Sequence, residues 1–193
     1  MFVQVIQGRT SDADGLRRQM DRWDADVRPG ATGFIGSTSG VTDDGQVFVA
    51  ARFDDEASAR KNSDRPEQGA WWEETSKLIE GATFTESTEI DLFKGGGSND
   101  AGFVQVIRGR ATDKAALRAA NDDFDAQLAQ ERPDLLGATT IWDGDRFFQV
   151  AYFRSEDEAR KGEAATSDSE LMQQFQSLTA DLSFLDLRSP MFD

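Results

Sequence analysis

The chain says one thing twice. Phe2-Val3-Gln4-Val5-Ile6-Gln7-Gly8-Arg9 returns as Phe103-Val104-Gln105-Val106-Ile107-Arg108-Gly109-Arg110, with one change, Gln7 to Arg108. The echo stays in register. Leu16 answers Leu117, Trp23 answers Phe124 and Phe53 answers Phe153, while Glu56, Ala59, Arg60 and Lys61 reappear as Glu156, Ala159, Arg160 and Lys161. A period of about a hundred residues is too long for a solenoid unit of roughly 20 to 50 and suits a small domain. The 193 residues are therefore expected to form a tandem duplication: repeat one at 1–94, a Gly/Ser-rich flexible linker at 95–100, and repeat two at 101–193.

Each repeat reads strand, helix, strand, strand, helix, strand, which predicts an α+β fold of two ferredoxin-like βαββαβ units. The first strand, Phe2 to Arg9, is apolar on both faces, as in a strand covered on both sides. Gln4 shares a face with Phe2 and Ile6, and Gln105 repeats that placement. Two readings of this amide are open: it lines a pocket, or it is a hydrogen-bonded amide inside a barrel or interface. Leu16, Met20, Trp23 and Val27 draw an apolar stripe on a helix capped by Ser11 or Asp12. In repeat two, Leu117, Phe124 and Leu128 continue that stripe, with Asn121 in place of Met20.

Asp43-Asp44-Gly45 and Asp143-Gly144 are hairpin signals. The second helical region starts near Glu56, breaks at Asn62-Ser63-Asp64-Arg65 and restarts at Pro66. Trp71, Thr75 and Leu78 align with Leu171, Phe175 and Leu178 as a core stripe. The closing strands are expected at Thr83 to Phe93 and at Ser183 to Leu187.

Composition excludes much chemistry. With no cysteine and no histidine, the chain has no thiol nucleophile, no Ser-His-Asp relay and no imidazole for zinc or haem. The net charge of −15 is shared evenly, −7 on residues 1–94 and −7 on 101–193. Neither repeat is a basic platform, so no nucleic-acid or membrane partner is expected. No apolar run reaches the roughly 18 residues of a membrane span, and Met1 leads straight into a strand, so the cytoplasm is the expected compartment.

The strand order and the stretch Asn62-Ser63-Asp64-Arg65-Pro66-Glu67-Gln68-Gly69-Ala70-Trp71-Trp72 resemble the dimeric α/β-barrel superfamily, and within it the antibiotic-biosynthesis-monooxygenase (ABM) group of bacterial proteins. The resemblance spans both repeats. It implies that they pack sheet to sheet about a pseudo-two-fold axis, as a pseudo-dimer within one chain, with further oligomerisation open. It also implies a cofactor-independent monooxygenase or related enzyme acting on a small aromatic, polyketide-like molecule, with no cofactor and no metal. The alternative is a non-catalytic barrel that binds a small ligand or a protein. The haem enzymes of the superfamily hold iron through histidine, and here only Tyr152 could substitute.

Quinone-forming oxygenases of this type hold their substrate with Asn, Trp, Tyr and Arg, so that hydrogen bonds stabilise a substrate anion. The matching residues of repeat one are Arg52, Asn62 and Trp72, the candidate catalytic set. Arg52 would hold a phenolate oxygen, Asn62 would orient it, and Trp72 would stack on a flat ligand. Gln4 and Tyr152 are the candidate ligand-binding residues. The counterparts of the catalytic set are Tyr152, Gly162 and Met172, so the pocket is expected in repeat one, between its sheet and second helix, with repeat two filled. A purely structural reading stands beside this: Arg52 pairs with a carboxylate, Asn62 caps a helix and Trp72 fills the core. Asp54-Asp55-Glu56 is read as acid at a helix start rather than a metal site.

Overall fold

Hairpins and short crossovers build two five-stranded sheets. The computed structural model describes all 193 residues, the side chains of residues 121–125 excepted. In chain order the elements are β1 (Phe2–Arg9), α1 (Ala13–Arg22), β2 (Phe34–Val41), β3 (Gln46–Phe53), α2 (Glu56–Ser63), α3 (Pro66–Thr75), β4 (Glu80–Ser87) and β5 (Ile90–Phe93). The chain continues through β6 (Phe103–Ala111), α4 (Lys114–Glu131), β7 (Leu135–Asp143), β8 (Arg146–Phe153), α5 (Glu156–Thr166), α6 (Glu170–Ser177), β9 (Thr179–Leu187) and β10 (Met191–Phe192). One compact unit comprises Met1–Thr88 with Pro190–Asp193, and the other Glu89–Ser189.

In unit one the sheet runs β10-β2-β3-β1-β4, all neighbours antiparallel. Asp12 caps α1, its carboxylate accepting from the Gly15 N–H at 2.7 Å. The stripe Leu16, Met20, Trp23 and Val27 is buried against Ile6, Val47 and Val49. Asp55 caps α2 by accepting from the Ser58 N–H at 2.8 Å, which gives the acidic run Asp54-Asp55-Glu56 a structural role. Pro66 opens α3 at a position where a missing N–H costs nothing.

Unit two repeats the plan with order β5-β7-β8-β6-β9. Ser155 and Ser169 cap α5 and α6. Asn121 and Phe124 lie outside the described side chains. The duplication extends to irregularities. The β1–β4 ladder slips between Gln7 and Arg9, and the β6–β9 ladder slips between Arg108 and Arg110. At the same point Gly81 has φ +63° and Asp181 has φ +56°. Both are left-handed, a conformation that glycine adopts freely and aspartate tolerates.

Two expectations need correction. Thr83 to Phe93 is not one strand: the β1–β4 ladder ends at Val3–Ser87, and Ile90–Phe93 pairs instead with β7, from Ile90–Ile141 to Phe93–Ala138. In the same way Met191–Phe192, beyond the strand read at Ser183 to Leu187, pairs with β2 in unit one. The segment read as a flexible linker at 95–100 lies inside unit two. There the Gly96 N–H bonds the Phe93 carbonyl at 3.0 Å, and Gly137 comes so near that a Cβ would sit 2.1 Å from the Gly96 oxygen. Flexible composition is overridden by close backbone packing.

The tail of unit one carries a pH-dependent contact. Asp193 exchanges backbone bonds with Ser37 at 3.1 and 3.4 Å, and its carboxylate accepts from the Ser37 hydroxyl at 2.5 Å. Burial pushes the Asp193 carboxyl up, against the lowering effect of Ser37. The folded state therefore binds a proton more readily than the unfolded chain, so this group favours folding at low pH and loses that contribution as pH rises through its raised value. Subtracting the pH–stability profile of Asp193→Asn from that of wild type should show a gain as pH falls toward the ordinary aspartate value of about 3.9. Parallel profiles would show that the burial has no energetic consequence.

Candidate functional site

A cavity of about 500 Å³ lies in unit two, between the sheet and α4, α5 and α6. Its floor includes Gln105, Ala138, Thr140, Gln149 and Ala151, and its roof includes Leu117, Leu128, Leu171, Met172 and Phe175. The volume falls within the roughly 300–1,000 Å³ of small-molecule sites. At the corresponding place in unit one only about 70 Å³ remains, bordered by Gln4, Trp23, Phe34, Asn62 and Trp71. This reverses the expected assignment of the pocket to repeat one.

Side-chain volume explains the reversal. In unit one Trp23 meets Phe34 at 4.7 Å and Trp71 at 6.4 Å between ring centroids, both edge-on. Repeat two carries Leu171 for Trp71, Met172 for Trp72 and Leu135 for Phe34. Its added bulk, Phe147 for Val47 and Phe175 for Thr75, packs at one end with Trp142 and Leu117. Trp23, Phe34 and Trp71 are the filling that narrows the cavity of repeat one.

Among the described residues, the charged groups at the cavity are paired. Arg132 and Asp134 are buried and doubly bonded, Nη2–Oδ2 at 2.8 Å and Nε–Oδ1 at 3.1 Å. Arg132 also donates to the Ala159 carbonyl at 3.3 Å and lies 5.4 Å from the Phe153 ring centre. Gly162 makes this possible, since a Cβ there would stand 2.5 Å from Arg132 Nε. Where repeat one has Asn62, repeat two has an absent side chain and a guanidinium in its space.

Arg160 bonds Asp186, Glu163 and Glu156. Burial works against its charge, but the three carboxylates outweigh it and hold the proton more tightly than usual. Gln105 donates to Asp186 at 3.1 Å, as Gln4 donates to Glu86 at 3.0 Å. Arg60 likewise joins Glu86 and Glu56, and its hydrogen bond pulls the Glu86 carboxyl below the usual range. The Gln–acid–Arg–Glu network is thus present twice. Both glutamines are hydrogen-bonded and both border a cavity, so the two readings of this amide describe one placement.

The candidate residues of repeat one do not converge on a chamber. Strand alternation puts Val49, Ala51 and Phe53 on the helix side of β3, so Arg52 lies on the opposite face, its Nε 3.5 Å from the Gly36 carbonyl. Asn62 is buried, donating to Gln68 at 3.0 Å and accepting from Arg65 at 3.0 Å. Trp72 packs edge-on against Phe84 at 5.3 Å. Tyr152 is buried on the face of β8 away from the cavity, whose floor takes its neighbours Ala151 and Phe153.

Two cavity-lining residues escaped the sequence reading, Gln149 and Arg132, and Gly162 was read only as the counterpart of Asn62. The signal for Gln149 was present. It occupies the position of Val49, a polar residue at a helix-facing strand position.

No protein-family model matches the sequence, and a search of curated proteins finds no match. Solved structures do. A presumptive monooxygenase from Lactobacillus acidophilus NCFM superposes with TM-score 0.76 and 10% identity, over 100% of this chain and 98% of that one. The chain shares its fold with these proteins, a ferredoxin-like α+β plan in each unit. An anthrone oxidase-like protein shares this fold at TM-score 0.69 and 11% identity, over 100% of this chain and 92% of that one. A haem-degrading enzyme from Listeria monocytogenes shares it at TM-score 0.52 and 12% identity, over 98% and 99%. At these identities the likeness speaks to fold. Among the described residues no helix is long and apolar enough to cross a membrane.

Proposed function

We propose that this ABM-like protein takes a small, flat, largely apolar molecule into unit two and acts on it as a cofactor-independent monooxygenase-type enzyme. The observation that carries the reading is the cavity of about 500 Å³ with an apolar roof and a few polar groups on its floor, the usual constitution of a small-molecule site. The reaction class is supported by the names of the structural neighbours, a presumptive monooxygenase and an anthrone oxidase-like protein. Haem degradation is the weaker analogy, because the chain has no imidazole and its single tyrosine faces away from the cavity.

A second reading, binding without catalysis, is favoured by one observation. Arg132 and Arg160 are each engaged by carboxylates, so neither stands ready to stabilise a substrate anion. One experiment separates the two: anthrone is titrated into the protein while dissolved oxygen is recorded. Saturable binding with oxygen uptake above the anthrone-only control supports the enzyme, and binding without added uptake supports the binding protein. No binding of anthrone or related polycyclic phenols would remove both.

A further inference from the structure

We propose that Gln149, with Thr140, recognises an uncharged oxygen, a ketone, quinone or un-ionised phenol, on the ligand of unit two. This rests on the reading that the chamber takes a flat apolar ligand, and it adds what that ligand must carry. The two side chains sit side by side on adjacent strands, Thr140 opposite Gln149 in the β7–β8 ladder. Both line the cavity, next to the small residues Ala138 and Ala151, which leave the space above them open. Thr140 is buried, and the bond joining the pair, Gln149 Nε2 to Thr140 Oγ1, is 3.5 Å long, too long to satisfy either group well. Gln149 is half-buried at the cavity wall, and its amide carries both donors and an acceptor that one long bond leaves available to a ligand.

Repeat one shows what the same position looks like without recognition. Its β2–β3 ladder pairs Ser39 with Val49. No amide faces the hydroxyl, and the Ser39 oxygen is buried without a hydrogen bond. Repeat two has the amide at this position, and repeat two has the larger cavity.

Charge decides the form of the ligand oxygen. Carboxylates of Asp91, Glu163 and Asp186 border the chamber against two guanidiniums, Arg132 and Arg160, both engaged by acids. Asp91 is itself bonded to Trp142 at 2.7 Å and to Arg118 at 2.5 Å. An anionic ligand would have to break an existing ion pair, whereas a neutral oxygen needs only the amide and hydroxyl.

The test compares three probes of one shape: anthraquinone, anthracene and an anthracene carboxylate. Wild type is expected to bind anthraquinone about tenfold more tightly than anthracene, the scale of one buried neutral hydrogen bond, and to bind the carboxylate more weakly than either. Gln149→Val, which installs the residue of repeat one, and Gln149→Met, which keeps the length, should erase the quinone preference, read as the ratio of anthraquinone to anthracene affinity within each variant. Two variants guard against one failing to fold. A quinone preference that is absent in wild type, or that survives both substitutions, overturns the recognition and leaves the chamber standing. Carboxylate binding as tight as the quinone overturns the neutrality argument, and failure of all three probes to bind overturns the chamber as well.

Discussion

Leu171→Trp should abolish ligand binding. Leu171 roofs the cavity of unit two, and its counterpart Trp71 is part of the aromatic cluster that leaves unit one only about 70 Å³. The new indole would enter open space rather than a packed core, so the roughly 1–3 kcal/mol of overpacking strain is avoided. We expect the affinity for anthrone or anthraquinone to fall by at least about a hundredfold, near 2.7 kcal/mol, with thermal stability held or raised. Calorimetric titration of wild type and variant, with a melting curve on each, gives both quantities. Unchanged affinity in a folded variant would mean that the ligand binds elsewhere.

The second large effect is on stability. Arg132→Ala is expected to cost about 3–5 kcal/mol, because it strands the Asp134 carboxylate without its partner in a buried site. It also removes the contact to the Ala159 carbonyl and to the Phe153 ring. Replacing Arg132 and Asp134 together by leucines should cost far less, since a buried ion pair exchanged for apolar side chains is often close to neutral. Denaturant unfolding of the single and double variants measures the difference. A single substitution costing under about 1 kcal/mol would show the pair to be solvent-screened, as surface pairs are.

The repeats, the strand faces, the caps and the break between α2 and α3 were all legible in the sequence, because each rests on local chemistry. Asp12, Asp55 and Pro66 act within a turn of their own position, and the stripe Leu16, Met20, Trp23 and Val27 needs only helical periodicity. Exchange of short strands was not legible. Ile90–Phe93 continues the apolar pattern of β4 without a Gly or Pro to mark the change of sheet, and only the ends of the ladders reveal it.

The larger cavity of repeat two was not foreseen for a related reason. Residue types were matched one by one to a chemical role, whereas a cavity is a property of summed volume. Trp72 looked like equipment, and Met172 and Gly162 looked like loss. Trp72 instead packs against Trp71 and Phe84, while Met172 lines the larger cavity. Arg52 was chosen by its chemistry, and strand alternation puts it on the other face from Ala51 and Phe53. The better clue was the single polar exchange at a core-facing position, Val49 to Gln149.

The central claim, that the working chamber belongs to repeat two, is tested most directly by a crystal of the protein under xenon, which enters dry apolar cavities. The account predicts xenon between Leu171, Phe175 and the strand floor of unit two, with none beside Trp71 in unit one. Xenon bound only beside Trp71, or in neither unit, would contradict it.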